Sequence, residues 1–146
     1  MAALSPNDAG AHFNLGAAFK SAGQLESAAV SYRRALTLKP DYLEAISNLG
    51  NVLQYLAQDD EAVINYVQAV KFKPNSAQVH SDLGSVLNKL GNASAASQHF
   101  QRAIEIDPLF TEAHYNWGNV FNAAGLLEQA ETSFRGSVRV ELGVLF

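Results

Sequence analysis

The chain has 146 residues, of which 48% are hydrophobic and only 16% charged. That length and balance suit a packed core and exclude a disordered tail or a charge-covered coiled coil. A net charge of −4 argues against nucleic-acid binding through phosphate contacts, and the lack of cysteine excludes disulfides, thiolate zinc sites and cysteine nucleophiles.

The organising feature is an internal period of 34 residues. Gly16, Gly50, Gly84 and Gly118 follow it, as do Ala28, Ala62, Ala96 and Ala130. Tyr32, Tyr66, Phe100 and Phe134 form a third series, and Pro40, Pro74 and Pro108 a fourth. A fixed period of this length marks stacked supersecondary units. The repeats run over about residues 9–42, 43–76, 77–110 and 111–142, in one domain spanning 1–146. Residues are numbered below by position within a repeat, counting Ala9, Leu43, Ala77 and Thr111 as position 1.

In chain order, the opening MAALSPNDAG has no basic segment followed by an apolar one, so no signal peptide is read. Leu4-Ser5-Pro6-Asn7 fits positions 30–33, so residues 1–8 resemble the tail of a preceding repeat. From Ala9, apolar residues at Ala11, His12, Leu15, Ala18, Phe19 and Ala22 keep the helical period. Gly23 ends that helix in a left-handed conformation. A second helix carries Leu25, Ala28, Tyr32, Ala35, Leu36 and Leu38, and Pro40-Asp41 breaks the chain before the next repeat. Gly16 and Ala28 mark the crossing of the two helices, with Phe19 and Tyr32 filling the space around it. Each repeat reads as such a pair, giving eight helices and an all-α fold. Helices this short are marginal alone in water, so stacking must stabilise them.

The second repeat places Ala57 where the others have Gly23, Gly91 and Gly125. Its Asp59-Asp60-Glu61 falls at a helix start, where acids complement the helix dipole; Lys39, Lys71 and Lys73 fall at helix C-termini for the mirror-image reason. His12, His80 and His114 share position 4. Equivalent positions of neighbouring repeats lie on the order of 10–20 Å apart, too far to share one ion. They read as imidazoles at helix contacts, and His99 as a residue of a second helix without a partner in sequence. Asn92-Ala93-Ser94 is a glycosylation sequon with nothing to indicate secretion. In the fourth repeat Leu142 replaces proline and Gly136 falls inside the second helix. Ala113 to Leu127, the longest uncharged stretch, is too short and too polar to span a bilayer. No GxxxxGK, GxGxxG, GxSxG or HExxH occurs. The expectation is a cytoplasmic protein that is not an enzyme, with no cofactor, no metal, no nucleic-acid partner and no membrane span.

The pattern Leu15-Gly16, Phe19, Gly23, Ala28, Tyr32, Ala35 and Pro40, recurring in later repeats, resembles the tetratricopeptide repeat (TPR) family over about residues 9–142. The resemblance implies a right-handed superhelical α-solenoid of helical hairpins. The stretches from Ala45 to Leu53 and from Glu112 to Val120 are similar to the superhelical repeats of O-GlcNAc transferases and related bacterial TPR proteins. In that group, first-helix asparagines hold the backbone of an extended polypeptide. No glycosyltransferase domain accompanies them here.

By this resemblance, positions 5, 6 and 9 of the first helices face a concave groove. They supply Phe13, Asn14, Asn48, Asn51, Asp82, Ser85, Tyr115, Asn116 and Asn119. An amide offers donor and acceptor together and can pair with both groups of a passing peptide unit. The alternative is that these asparagines are merely solvated or bond within the array; replacing Asn48, Asn51, Asn116 and Asn119 is expected to leave the core untouched. A clamp for the C-terminal carboxylate of heat-shock chaperones would need three cations that both repeat frames lack, and is rejected. The leading expectation is a protein–protein interaction module for an extended partner segment. The alternatives are the substrate-recognition portion of a larger protein glycosyltransferase and a self-assembling scaffold. For the last, the apolar end formed by Val138, Val140, Leu142, Leu145 and Phe146, with no polar helix over it, is a candidate self-association site that would give a homo-oligomer.

Overall fold

The structure, a computed structural model, describes residues 8–141, with the side chains of residues 127 and 139–141 excepted. Among the described residues there are eight helices and no strand: α1 (Ala9–Ser21), α2 (Leu25–Leu38), α3 (Leu43–Tyr55), α4 (Asp59–Phe72), α5 (Ala77–Lys89), α6 (Ala93–Ile106), α7 (Thr111–Ala123) and α8 (Leu127–Glu141). The first helix of each pair starts at position 1 of its repeat. The chain divides into two compact units, residues 1–74 and 75–146. In the first, α1 packs on α2, α3 on α4, and α2 on α3; in the second, α5 packs on α6, α7 on α8, and α6 on α7.

Each hairpin turn follows from its hydrogen bonds. The N–H of Gln24 reaches back to the carbonyl of Phe19, and that of Gly23 to Lys20. The same pair of bonds recurs from Gln58 and Ala57, from Asn92 and Gly91, and from Leu126 and Gly125. This closure satisfies carbonyls that the helix end would otherwise orphan, and it requires positive φ at the second residue. Gly23, Gly91 and Gly125 adopt φ of 77°, 87° and 77°; Ala57 is forced to 59°. The Cβ of Ala57 meets its own carbonyl there, so the second turn is strained where the others are not. Asp8, Ser76 and Asn92 cap α1, α5 and α6 by accepting the N–H groups of Ala11, Val79 and Ala95. Asn92 of the sequon is thus a helix cap.

Within each hairpin, the glycine at position 8 faces the aromatic ring at position 24. A Cβ on Gly50 would lie 2.5 Å from the Tyr66 ring, and one on Gly16, Gly84 or Gly118 would lie 2.6–2.8 Å from Tyr32, Phe100 or Phe134. The small residue therefore admits a ring, which is a sharper role than the glycine–alanine crossing expected from sequence. Tyr32, Tyr66 and Phe100 are almost wholly buried, and Ala28, Ala62 and Ala96 lie beside them with no exposed surface. Two sequence expectations shift. Leu38, at the last residue of α2, is exposed, while Ala29 and Ser31 turn to the buried side. Gly136 does not stop α8, which continues to Glu141. It accommodates the His114 imidazole, since a Cβ there would meet Nδ1 at 2.8 Å.

Two stability measurements check this account. Gly50→Ala should lower stability by about 1–3 kcal/mol by overpacking against a ring that cannot move, despite the better helix propensity of alanine. Ala57→Gly should raise it by about 0.5–1 kcal/mol by relieving the left-handed strain. Urea unfolding of the two variants reads both signs.

Candidate functional site

The surface expected to bind a partner lies on the first helix of each hairpin. In the first unit, Phe13 is half-buried and stacks on Tyr42 with centroids 5.0 Å apart, tilting also against Tyr32 at 5.7 Å. The Lys39 ammonium sits 4.8 Å from the Tyr42 ring centroid, a cation–π distance. Asn14, one residue on from Phe13, is exposed. Asn48 and Asn51 are half-buried.

Asn51 departs from the sequence expectation. Its Oδ1 accepts the hydroxyl of Tyr66 at 2.8 Å, and that hydroxyl in turn accepts Gln54 Nε2 at 3.1 Å. Tyr66 is wholly buried, so Asn51 satisfies a core hydroxyl as well as lying on the candidate surface. Burial raises the pKa of the corresponding Tyr32, and Asn48 lies close enough to oppose that shift. The Tyr32 hydroxyl nonetheless makes no hydrogen bond of good geometry.

In the second unit, Asn116 donates from Nδ2 to Ser85 Oγ at 3.2 Å, linking position 6 of one first helix to position 9 of the one before it. Asn119 is exposed, and Tyr115, 54% exposed, leans against Phe134 at 5.6 Å. Asp82 is half-buried. Its Oδ1 accepts Gln78 Nε2 at 2.9 Å, and the same amide nitrogen reaches Glu112 Oε2 at 3.4 Å. Burial raises the Asp82 pKa to about 6, the Gln78 bond opposes this, and the Glu112 carboxylate adds to it. Gln78 holds two carboxylates close to one another. Its signal in the sequence is the spacing, one helical turn before Asp82 and 34 residues before Glu112.

His99 has a partner: its Nδ1 lies 3.1 Å from Nδ1 of His80, with the rings stacked at 25° and centroids 5.3 Å apart. Helical periodicity shows neighbours on one helix, and this pair joins two. His80 and His12 are buried; His114 is half-buried and bonds through Nε2 to the carbonyl of Pro108 at 3.0 Å. Burial, and secondarily the charge of His80, lower the pKa of His99. Asp59, Asp60 and Glu61 occupy the first turn of α4 as expected, and Glu61 pairs with Arg33 at 2.7 Å. At the other end, Val138 is 51% exposed. The Val140 side chain, Leu142, Leu145 and Phe146 lie outside the described residues, as do Leu4 to Asn7. Among the described residues, no helix is long and apolar enough to cross a membrane, and no group of three or more His, Cys, Asp or Glu could hold a metal ion.

Helical hairpins on a 34-residue period, each with a glycine against a ring, define a repeat protein of the tetratricopeptide class. A family model for the TPR repeat matches residues 17–56 and 84–125, and one for the tetratricopeptide repeat matches 43–76. The chain belongs to the TPR family, whose members are protein-interaction modules, and its fold is that family's α-solenoid of helical hairpins. No significant match is found among curated protein sequences. Among solved structures, a crystal structure of MamA is similar over 95% of this chain and 81% of its own, with a TM-score of 0.88 and 22% identity. MamA from Desulfovibrio magneticus RS-1 is similar over 94% and 77%, with a TM-score of 0.86 and 21% identity. YrrB, described as a TPR protein with an unusual peptide-binding site, is 28% identical over 94% of this chain and 71% of its own, with a TM-score of 0.77.

The raised pKa of Asp82 has a definite sign. A carboxyl whose folded pKa exceeds its unfolded value favours folding below the unfolded value, and loses that contribution as pH rises through about 6. Asp82→Asn, which keeps the acceptor for Gln78, should therefore stabilise the protein at pH 7.5 by about 1–2 kcal/mol, allowing for partial solvent screening, and change little near pH 4. Thermal melts of both proteins across that range measure the difference.

Proposed function

We propose that the chain is a single interaction domain of four repeats, 9–42, 43–76, 77–110 and 111–142, that holds an extended segment of a partner protein along its first helices. The partner's backbone pairs with short amides and hydroxyls: Asn14, Asn48 and Asn51 in the first unit, and Ser85, Asn116 and Asn119 in the second. Phe13 and Tyr115 give each unit an aromatic edge. The observation that carries this reading is the exposure of Asn14 and Asn119 on the first helices of the two units, with the Asn116–Ser85 bond tying the first helices of the second unit together. The likeness to YrrB supports it, since that protein's description names a peptide-binding site. Asp82 and Glu112 favour a partner segment with a Lys or Arg nearby.

The structure dictates which asparagines give a clean test. Replacing Asn51 would also strip the Tyr66 hydroxyl of an acceptor, at a stability cost of about 1–3 kcal/mol. Asn14 and Asn119 are exposed, so Asn14→Ala with Asn119→Ala leaves the core intact. A partner peptide recovered by pull-down on the immobilised chain should bind this double variant about 1–3 kcal/mol more weakly by calorimetric titration, with an unchanged melting temperature. Equal affinity with the fold intact would place the ligand elsewhere.

A further inference from the structure

We infer that His80 and His99 form a binding site for a divalent transition-metal ion of the zinc or copper kind, tying α5 to α6. The two Nδ1 atoms stand 3.1 Å apart on adjacent helices of one hairpin. With metal–nitrogen bonds of about 2.0–2.1 Å, that separation subtends an angle of about 100° at the ion, between the square-planar and tetrahedral values. The nitrogen spacing thus matches a chelate, while the ring centroids, 5.3 Å apart, set the two nitrogens nearly head on, so each ring turns to aim its lone pair at the ion.

The protonation chemistry agrees. Two neutral imidazoles meeting through Nδ1 share one proton between those atoms. When an ion enters, His99 keeps its proton on Nε2 instead, which its half-exposed position permits. Both Nδ1 lone pairs can then turn to the metal, and the ion's charge is shared with the waters that complete its shell. The donors are imidazole only, which selects zinc, copper or nickel over magnesium and calcium. No third His, Cys, Asp or Glu joins them among the described residues, so water fills the remaining positions.

The repeats contain their own controls. Positions 4 and 23, which form the pair, are His12 and Ser31 in the first repeat, Ile46 and Asn65 in the second, and His114 and Ser133 in the fourth. Only the third repeat supplies an imidazole on both helices.

The test uses the full chain with Zn(II), Cu(II) and Mg(II) salts. Zn(II) should raise the melting midpoint by about 5–10 °C at a hundredfold excess over its dissociation constant, and Mg(II) should not. The ring resonances of His80 and His99 should shift together on adding Zn(II), leaving those of His12 and His114 in place. His99→Gln should abolish the thermal shift; if that variant does not fold, the ring resonances of the unaltered chain decide alone. A thermal shift that survives in His99→Gln would overturn the proposal. So would equal perturbation of all four histidines, or the lack of any thermal shift with Zn(II) and Cu(II) at about 1 mM.

Discussion

The packing of a glycine against an aromatic ring is the constraint on which the rest of the molecule depends. Repulsion rises steeply below van der Waals distance, while the dispersion attraction between any one pair of atoms at that distance is small. A ring lying where a Cβ would stand therefore fixes the spacing of the two helices closely. The alanines at position 20 and the alanine or serine at position 27 follow from the same close approach, and they are almost wholly buried. Because the ring is held from both helices, each first helix is locked in rotation about its own axis. That rotation decides which of its side chains face outward.

The atom at the tip of the ring matters most in the second repeat. In the second repeat, the Tyr66 hydroxyl takes up Asn51 and Gln54, so a polar side chain of the outward surface is anchored to the core. Phe100 and Phe134 have no such hydroxyl. In the second unit the polar residues bond to each other instead, Asn116 with Ser85 and Gln78 with Asp82 and Glu112. In the second repeat the oxygen at position 24 thus draws the neighbouring amide into the fold, whereas the same oxygen on Tyr32 makes no such bond.

The third repeat concentrates the ionisable groups that burial disturbs. Asp82 is pushed towards its neutral acid and His99 towards its neutral imidazole, both chiefly because the charged forms lose hydration. For Asp82 the Glu112 carboxylate adds to the effect, and for His99 a second imidazole does.

The sequence by itself determined the repeat length, the helix pairs and the family, because spacing along a chain maps directly onto turns of a helix. Position 8 glycine, position 24 aromatic and position 32 proline all survive in that one-dimensional record. It also showed that Asp59, Asp60 and Glu61 open a helix, since the pull of a helix dipole on nearby charge is local; the cap position itself falls to Gln58, whose side chain makes no capping bond. What lies across a hairpin is not local. The meeting of His80 with His99, 19 residues away, the use of Asn51 by Tyr66, and the ring of His114 over Gly136 depend on how far one helix is rotated against the next. Only the tertiary structure decides that angle, because it results from the packing of whole side chains against one another rather than from the period on which they recur.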